Sequence, residues 1–291
     1  MLSYRHGFHA GNFADVYKHV ILTVLLAALR RKAKPFVYLD THAGAGRYDL
    51  RSEMARKNRE HESGIVRLWE VARSPTPLPA AVGTFLDCVR AINPVRGGAA
   101  SSPAPRRYPG SPRVARQLLR PRDRMLLAEL HGSEIPLLRR EFAGDRQVQV
   151  FAEDGYHLLR SKLPPREHRG LVLIDPAYER RDEVAHVLQG VADGHRRFAT
   201  GVFAVWYPIM PKIAVRKLQQ GIAAAGIRKV LVAELCVFPD DNPLGINGSG
   251  MIVVNPPWQS DEELRAVTEW LWPVLSPQGL GRRRVEWLVP E

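Results

Sequence analysis

Cysteine is scarce: the 291 residues hold only Cys88 and Cys236. Two such distant cysteines make neither a disulfide framework nor a metal-spaced pair, so a reducing cytoplasm and no metal site are expected. Long apolar runs are also missing. None reaches the roughly 20 residues that a bilayer-spanning helix needs. The N-terminal MLSYRHGFHAGNFADVYKH has no apolar core ahead of a cleavage site. A secreted or membrane-embedded protein is therefore not expected. Acidic residues are outnumbered, 30 Asp and Glu against 42 Lys and Arg, for a formal net charge of +12. That excess points to a polyanionic partner, most often nucleic acid. No Gly-Lys-Ser/Thr follows a glycine loop, which excludes a phosphate-gripping P-loop. What remains is an ordinary globular balance, 45% hydrophobic and 25% charged, long enough to bury a sizeable core.

The first 11 residues are polar and aromatic without period, an arm or a tail. Asn12 can cap a helix, with Asp15 three residues on. Val16, Val20, Val24 and Ala27 then recur at helical spacing, and Lys18 and His19 fall in the first turns. Strands are expected at 36–40, 125–129, 148–152, 171–175, 201–206, 230–238, 251–254 and 284–289. Between them 213–225 and 262–275 read as helical. Alternation of this kind indicates an α/β protein with a mostly parallel sheet and helices on both faces. Residues 51–108 interrupt it. Glu53 to Ala72 is charged and helix-prone, and Val82, Phe85, Leu86, Val89 and Ile92 repeat at three and four. A helical insertion is expected there, with the low-complexity stretch 94–107 flexible.

Several strands end in groups with chemistry. In open α/β sheets, ligands bind beyond the carboxyl ends of the strands. After 36–40 comes Thr41-His-Ala-Gly-Ala-Gly46, where Gly44 and Gly46 let a nucleotide-like ligand approach the backbone. The third glycine of a nicotinamide fingerprint is replaced by Asp49. A loop lacking a phosphate cradle suits S-adenosylmethionine, a sulfonium without phosphate. Glu129 ends the second strand, where acids commonly hydrogen-bond ribose hydroxyls. Glu153, Asp154 and Gly155 follow the third. Asp175-Pro-Ala-Tyr178 follows the fourth, a carboxylate and a ring that suit a flat base bearing an exocyclic amine.

The order DTHAGAG, AEL, EDG, DPAY, each after a strand, resembles the Rossmann-like S-adenosylmethionine-dependent methyltransferases. With MLSYRHGFHAGNFADVYKH, RYPGSP, RFATGVFAVWYP, SGMIVVNPPW and the terminal WLVPE, nearly the whole chain resembles the 23S rRNA adenine-N6 methyltransferase family. The resemblance implies a Rossmann-like fold with a mostly parallel seven-stranded sheet. Its core would comprise 1–50 and 109–291 with an N-terminal arm, and 51–108 would be an inserted helical subdomain. It implies S-adenosylmethionine contacts from His19, His42, Ser111, Glu129, Asp154, Gly155 and Asp175, with Lys18 close by. It also implies 23S rRNA contact from Tyr4, amine binding by Asp175 and the Pro176 carbonyl, and stacking of Tyr178 on the adenine. A cytoplasmic monomer is expected.

Two features complicate the match. The family's Asp-Pro-Pro-Tyr is Asp-Pro-Ala-Tyr here, which keeps the Pro176 carbonyl but frees Pro176 from the restriction a following proline imposes. Retained activity is expected, and a more than tenfold rise in turnover in Ala177→Pro would mark Ala177 as a defect. Asn255-Pro-Pro-Trp258 fits the general amino-methyltransferase pattern better, but it follows the penultimate strand and is read as a structural turn. Basic clusters at 113–124, 160–169 and 282–284 can hold RNA phosphates. A DNA or other amino-methyltransferase, and an RNA-binding homologue impaired in catalysis, remain as alternatives.

Overall fold

The computed structural model describes residues 4–75, 77–94, 104–211, 213, 215–240, 242, 243 and 245–291. Most of the stretch expected to be flexible, 95–103, lies outside them. In chain order the strands are β1 (Val37–Asp40), β2 (Arg47–Asp49), β3 (Arg107–Pro109), β4 (Arg124–Ala128) and β5 (Val148–Phe151). They continue as β6 (Gly170–Ile174), β7 (Val202–Ile209), β8 (Val230–Cys236), β9 (Gly248–Val254) and β10 (Arg283–Val289). The helices are α1 (Phe13–Arg30), α2 (Glu53–Asn58), α3 (Ile65–Val71), α4 (Ala80–Ala91) and α5 (Ser111–Leu118), then α6 (Ile135–Glu141), α7 (Gly155–Lys162), α8 (Glu183–Arg197), α9 (Val215–Ala224) and α10 (Ser260–Leu275).

One sheet organises them, in the order β10-β8-β9-β7-β6-β1-β4-β5. The five strands from β7 to β5 run parallel, while β9, β8 and β10 are joined by antiparallel pairings. The sheet therefore has eight strands where seven were expected. The eighth is β10, which pairs antiparallel along β8 from Arg283↔Leu235 to Val289↔Val230. All seven residues of β8 are buried, so that strand needs a neighbour on its outer edge to satisfy its backbone. Among the described residues, no helix is long and apolar enough to cross a membrane.

α1 is the hub. The Asn12 side chain accepts the Asp15 N–H at 2.8 Å, capping it as the sequence pattern indicates. Nearly every residue from Phe13 to Leu26 is buried, because α1 packs against β9 and β6 on one side and α4, α5 and α10 on others. A helix apolar on all sides belongs inside a domain. This burial forces the polar groups it carries, Lys18 and His19 among them, to find partners inside the protein. The helices of 51–108 return to the core through β3, which pairs with β2 in a second, two-stranded sheet. Neither short strand is legible from the sequence alone. Each has three residues, and their pairing spans about sixty.

Candidate active site

β1 and β6 lie side by side in the sheet, so their carboxyl ends open on a common space. There a cavity of about 350 Å³ sits beneath the N-terminal arm, within the range of small-molecule sites. Every site residue that the resemblance implies lines it, and so does Gly44, whereas Gly46 and Glu153 do not. The loop after β1 reaches its floor through two residues in the left-handed region, Gly44 at φ 59° and Gly46 at φ 79°. Gly155 opens α7 so close to this loop that a Cβ there would lie 2.2 Å from the Thr41 carbonyl oxygen.

The carboxylates are fixed from below. Glu129 accepts the Gly44 N–H at 2.7 Å and the His131 N–H at 2.6 Å, and burial raises its pKa. Asp40 accepts Tyr38 Oη and Ser111 Oγ, each at 2.7 Å. Its burial lifts its pKa to about 6. Asp154 caps α7 by accepting the His157 N–H at 2.9 Å. Burial pushes His42 down to about 4 and His19 down to about 3, so both rings are neutral at neutral pH. His19 Nδ1 lies 2.8 Å from the Tyr108 hydroxyl.

A chain of charge runs from the arm to Asp175. The Tyr4 hydroxyl meets His6 Nδ1 at 2.9 Å, and His6 Nε2 meets Asp15 Oδ2 at 2.7 Å. Lys18 Nζ joins Asp15 Oδ1 at 2.9 Å to Asp175 Oδ2 at 2.6 Å. Burial alone pulls the Lys18 ammonium toward neutrality, but the Asp15 and Asp175 carboxylates outweigh it and raise its pKa. Burial likewise pushes Asp15 up, and His6 and Lys18 overcome it, holding that carboxyl well below its ordinary range. Burial raises the Tyr4 phenol well above its usual value. His6 and Asp15 were not among the expected site residues. Asp15 was visible only as a cap, and no local spacing announces that its side chain turns inward.

Just past β6, Asp175 Oδ1 and the Pro176 carbonyl have no hydrogen-bond partner among the described residues. Tyr178 stands in the left-handed region at φ 53°, uncommon for a residue with a Cβ. Its hydroxyl donates to the Trp206 carbonyl at 2.8 Å, and the two rings meet edge to face at 6.0 Å. Lys18 Nζ lies 5.1 Å from the Trp206 ring centre.

Seven carboxylates line the cavity (Asp15, Glu129, Glu134, Asp154, Asp175, Glu179 and Glu183) against two cations, Lys18 and Arg180. An acidic cavity in a chain of net charge +12 suits a cationic ligand and opposes a polyphosphate. The basic clusters expected to hold RNA are largely occupied within the fold. Arg113 pairs with Glu141, Arg116 with Asp145, Arg120 with Asp123, Arg124 with Glu167, Arg283 with Glu269, and Arg282 and Arg284 with Glu234. Asn255 lies at the other end of the sheet, where its amide donates to the Ala199 and Gly201 carbonyls.

A family model described as "Ribosomal RNA large subunit methyltransferase D, RlmJ" matches residues 33–289. Ribosomal RNA large subunit methyltransferase J of Escherichia coli (strain K12) is 46% identical over 291 residues, covering 100% of both chains. The protein of that name from Haemophilus influenzae (strain ATCC 51907 / DSM 11121 / KW20 / Rd) is 44% identical over 291 residues, again covering 100% of both. A crystal structure of a Legionella pneumophila str. Philadelphia 1 protein is similar with a TM-score of 0.86 and 35% identity, covering 96% of this chain and 98% of that one.

Proposed function

We infer the activity from the family to which this chain belongs, the ribosomal RNA large subunit methyltransferase J family. The protein is an S-adenosylmethionine-dependent methyltransferase of large-subunit rRNA, acting on the N6 amine of an adenine in 23S rRNA. The observation that carries the choice of an amine is the pair of open acceptors at the end of β6, Asp175 Oδ1 and the Pro176 carbonyl, on a cavity walled by Tyr178. The donor set fits the cofactor. Glu129 and Asp154 offer acceptors for hydroxyl and amine groups, neutral His19 and His42 add no positive charge, and the acidic lining favours a sulfonium. When bound, S-adenosylmethionine supplies an electrophilic methyl group.

The protein's own part is orientation. An adenine amine is a poor nucleophile because its lone pair is shared with the ring. Asp175 Oδ1 and the Pro176 carbonyl accept its two hydrogens and turn the lone pair out of conjugation. Positioning of this kind contributes much of an enzyme's acceleration. Lys18 holds Oδ2 and so fixes the carboxylate with Oδ1 free. Tyr178, held by its bond to Trp206, stacks on the base. Proton loss follows attack, when the nitrogen has become cationic, and Asp175 is the first acceptor. Tyr4 on the arm closes over the nucleotide, which must leave its stack to enter, at a cost of a few kcal/mol in a duplex.

The test is transfer of labelled methyl from S-adenosylmethionine to unmodified 23S rRNA, with DNA of matching sequence alongside and Asp175→Ala as control. Label in N6-methyladenine of the RNA alone, lost in the variant, is the expected result. Label in the DNA, in another base, or undiminished in Asp175→Ala overturns the corresponding part of the reading.

A further inference from the structure

The end of the sheet opposite the cavity carries a surface that the proposed reaction does not use. There the Asn255-Pro-Pro-Trp258 turn is held as a rigid clasp. Asn255 lies in the left-handed region at φ 51°, its amide gripping the Ala199 carbonyl at 2.7 Å and the Gly201 carbonyl at 3.0 Å. Its backbone N–H donates to the Lys229 carbonyl at 2.9 Å. Arg31 donates to the Trp258 carbonyl at 3.1 Å and pairs with Glu263. The backbone of Trp258 is thus fixed, yet its side chain is 78% exposed, more than any other large apolar residue among those described.

The loop between α1 and β1 runs beside it. Arg120 donates to the Lys32 carbonyl at 2.8 Å and the Lys34 carbonyl at 3.1 Å, fixing the loop backbone. Arg30, Lys32, Lys34 and the nearby Arg122 are exposed and have no carboxylate partner among the described residues. Of the carboxylates close by, Glu262 alone is exposed without an ion-pair partner among the described residues, and Asp261 pairs with Arg265. Glu263 pairs with Arg31, and the buried Asp123 pairs with Arg120. These cations therefore face solvent unneutralised, unlike most of the arginines in the clusters described above.

An exposed indole on a fixed backbone, beside unpaired cations, is the arrangement that holds single-stranded nucleic acid, the ring stacking on a base and the cations tracking phosphates. We propose that Trp258 and the basic segment 30–34, the end of α1 and the loop after it, form a second RNA contact, which takes a single-stranded segment of the rRNA remote from the target base. It rests on the reading of the chain as an rRNA methyltransferase and extends it. The target base enters one end of the sheet while the other end anchors a distant part of the same large RNA.

Filter binding of the full chain to unmodified 23S rRNA and to a single-stranded 20-nucleotide RNA tests it, with methyl transfer measured on the same preparations. Trp258→Ala is expected to weaken binding of both RNAs about tenfold and to leave kcat at saturating 23S rRNA unchanged. Trp258→Phe, which keeps a stacking face, should stay within about threefold of wild type. Lys32→Ala with Lys34→Ala should lower the slope of log affinity against log salt by about 1.4, at roughly 0.7 per phosphate contact. Unchanged RNA affinity in Trp258→Ala overturns the proposal, and if that variant also loses self-association in sedimentation, the face belongs to a second copy of the chain. Weakened binding without methyl transfer by the wild type would sink the enzymatic reading and leave this contact standing.

Discussion

Glu234 and Asp175 both sit against cations, and they differ in how many partners their oxygens have. Glu234, on β8, is fully buried, and both its oxygens are engaged. Oε1 accepts Tyr207 Oη at 2.7 Å and Gln219 Nε2 at 2.9 Å, and Oε2 accepts Arg282 at 2.5 Å and Arg284 at 2.7 Å. Burial pushes its pKa up, but these arginine and tyrosine bonds prevail and bring it down to about 2. Asp175 has one cation on one oxygen and leaves the other to the cavity. A saturated carboxylate welds the sheet edge, and an unsaturated one at a strand end can receive a ligand. Partner count, more than burial or charge, separates architecture from chemistry here.

Removing each carboxylate in turn tests this difference in role. Asp175→Ala is expected to lower kcat by about a thousandfold, at the upper end for loss of one preorganised polar contact. Its urea midpoint should move far less than that of the Glu234 variant, since Lys18 keeps Asp15. Glu234→Gln should do the reverse. Breaking a buried pair costs about 3–5 kcal/mol, but Arg282 and Arg284 are 42% and 33% exposed, so about 2 kcal/mol is expected, read as a lower urea midpoint with kcat intact. If Glu234→Gln silenced the enzyme while Asp175→Ala did not, the assignment of roles would be inverted.

The neutral histidines are buried groups of a different kind, in which burial outweighs the pull of nearby carboxylates. His19 has its pKa pushed down to about 3, against an unfolded value near 6.5. Below about pH 6.5 the unfolded chain gains a proton that the native state refuses, so stability falls as the pH falls from there toward 3. Near pH 5 this loss is about 2 kcal/mol. His19→Gln should flatten unfolding free energy against pH across that window, and an unaltered slope would mean that the ring is already charged. The smallest effect is expected from Asn255→Ala, about 1 kcal/mol of stability from the lost hydrogen bonds and the left-handed backbone, with kcat unchanged. Loss of methyl transfer in that folded variant would move the chemistry to the other end of the sheet.

Much of the site was legible because strand ends are local. An apolar run, then an acid, then a turn marks Asp40, Glu129 and Asp175 without knowledge of any partner, and the sheet then brings all three to one edge. The cap at Asn12 and the period of α1 are equally local. The β2–β3 pairing was not legible, since three-residue strands carry no period and their partners lie about sixty residues apart. Nor was the eighth strand's inclusion in the sheet, because β10 shows an ordinary half-buried pattern and its place depends on the edge that β8 offers.

The linear chain alone carries which groups stand at the ends of which strands, the family resemblance, and the large positive charge. Those follow from residue order, which period and turn chemistry expose. Folding in three dimensions is what links His6 and Asp15 through Lys18 to Asp175, consumes most clustered arginines in ion pairs, and makes the cavity acidic in a basic protein. The physical reason is that a charge acts on whatever lies within a few ångströms of it. Such neighbours come from far along the chain, as Lys18 and Asp175 do, separated by 157 residues.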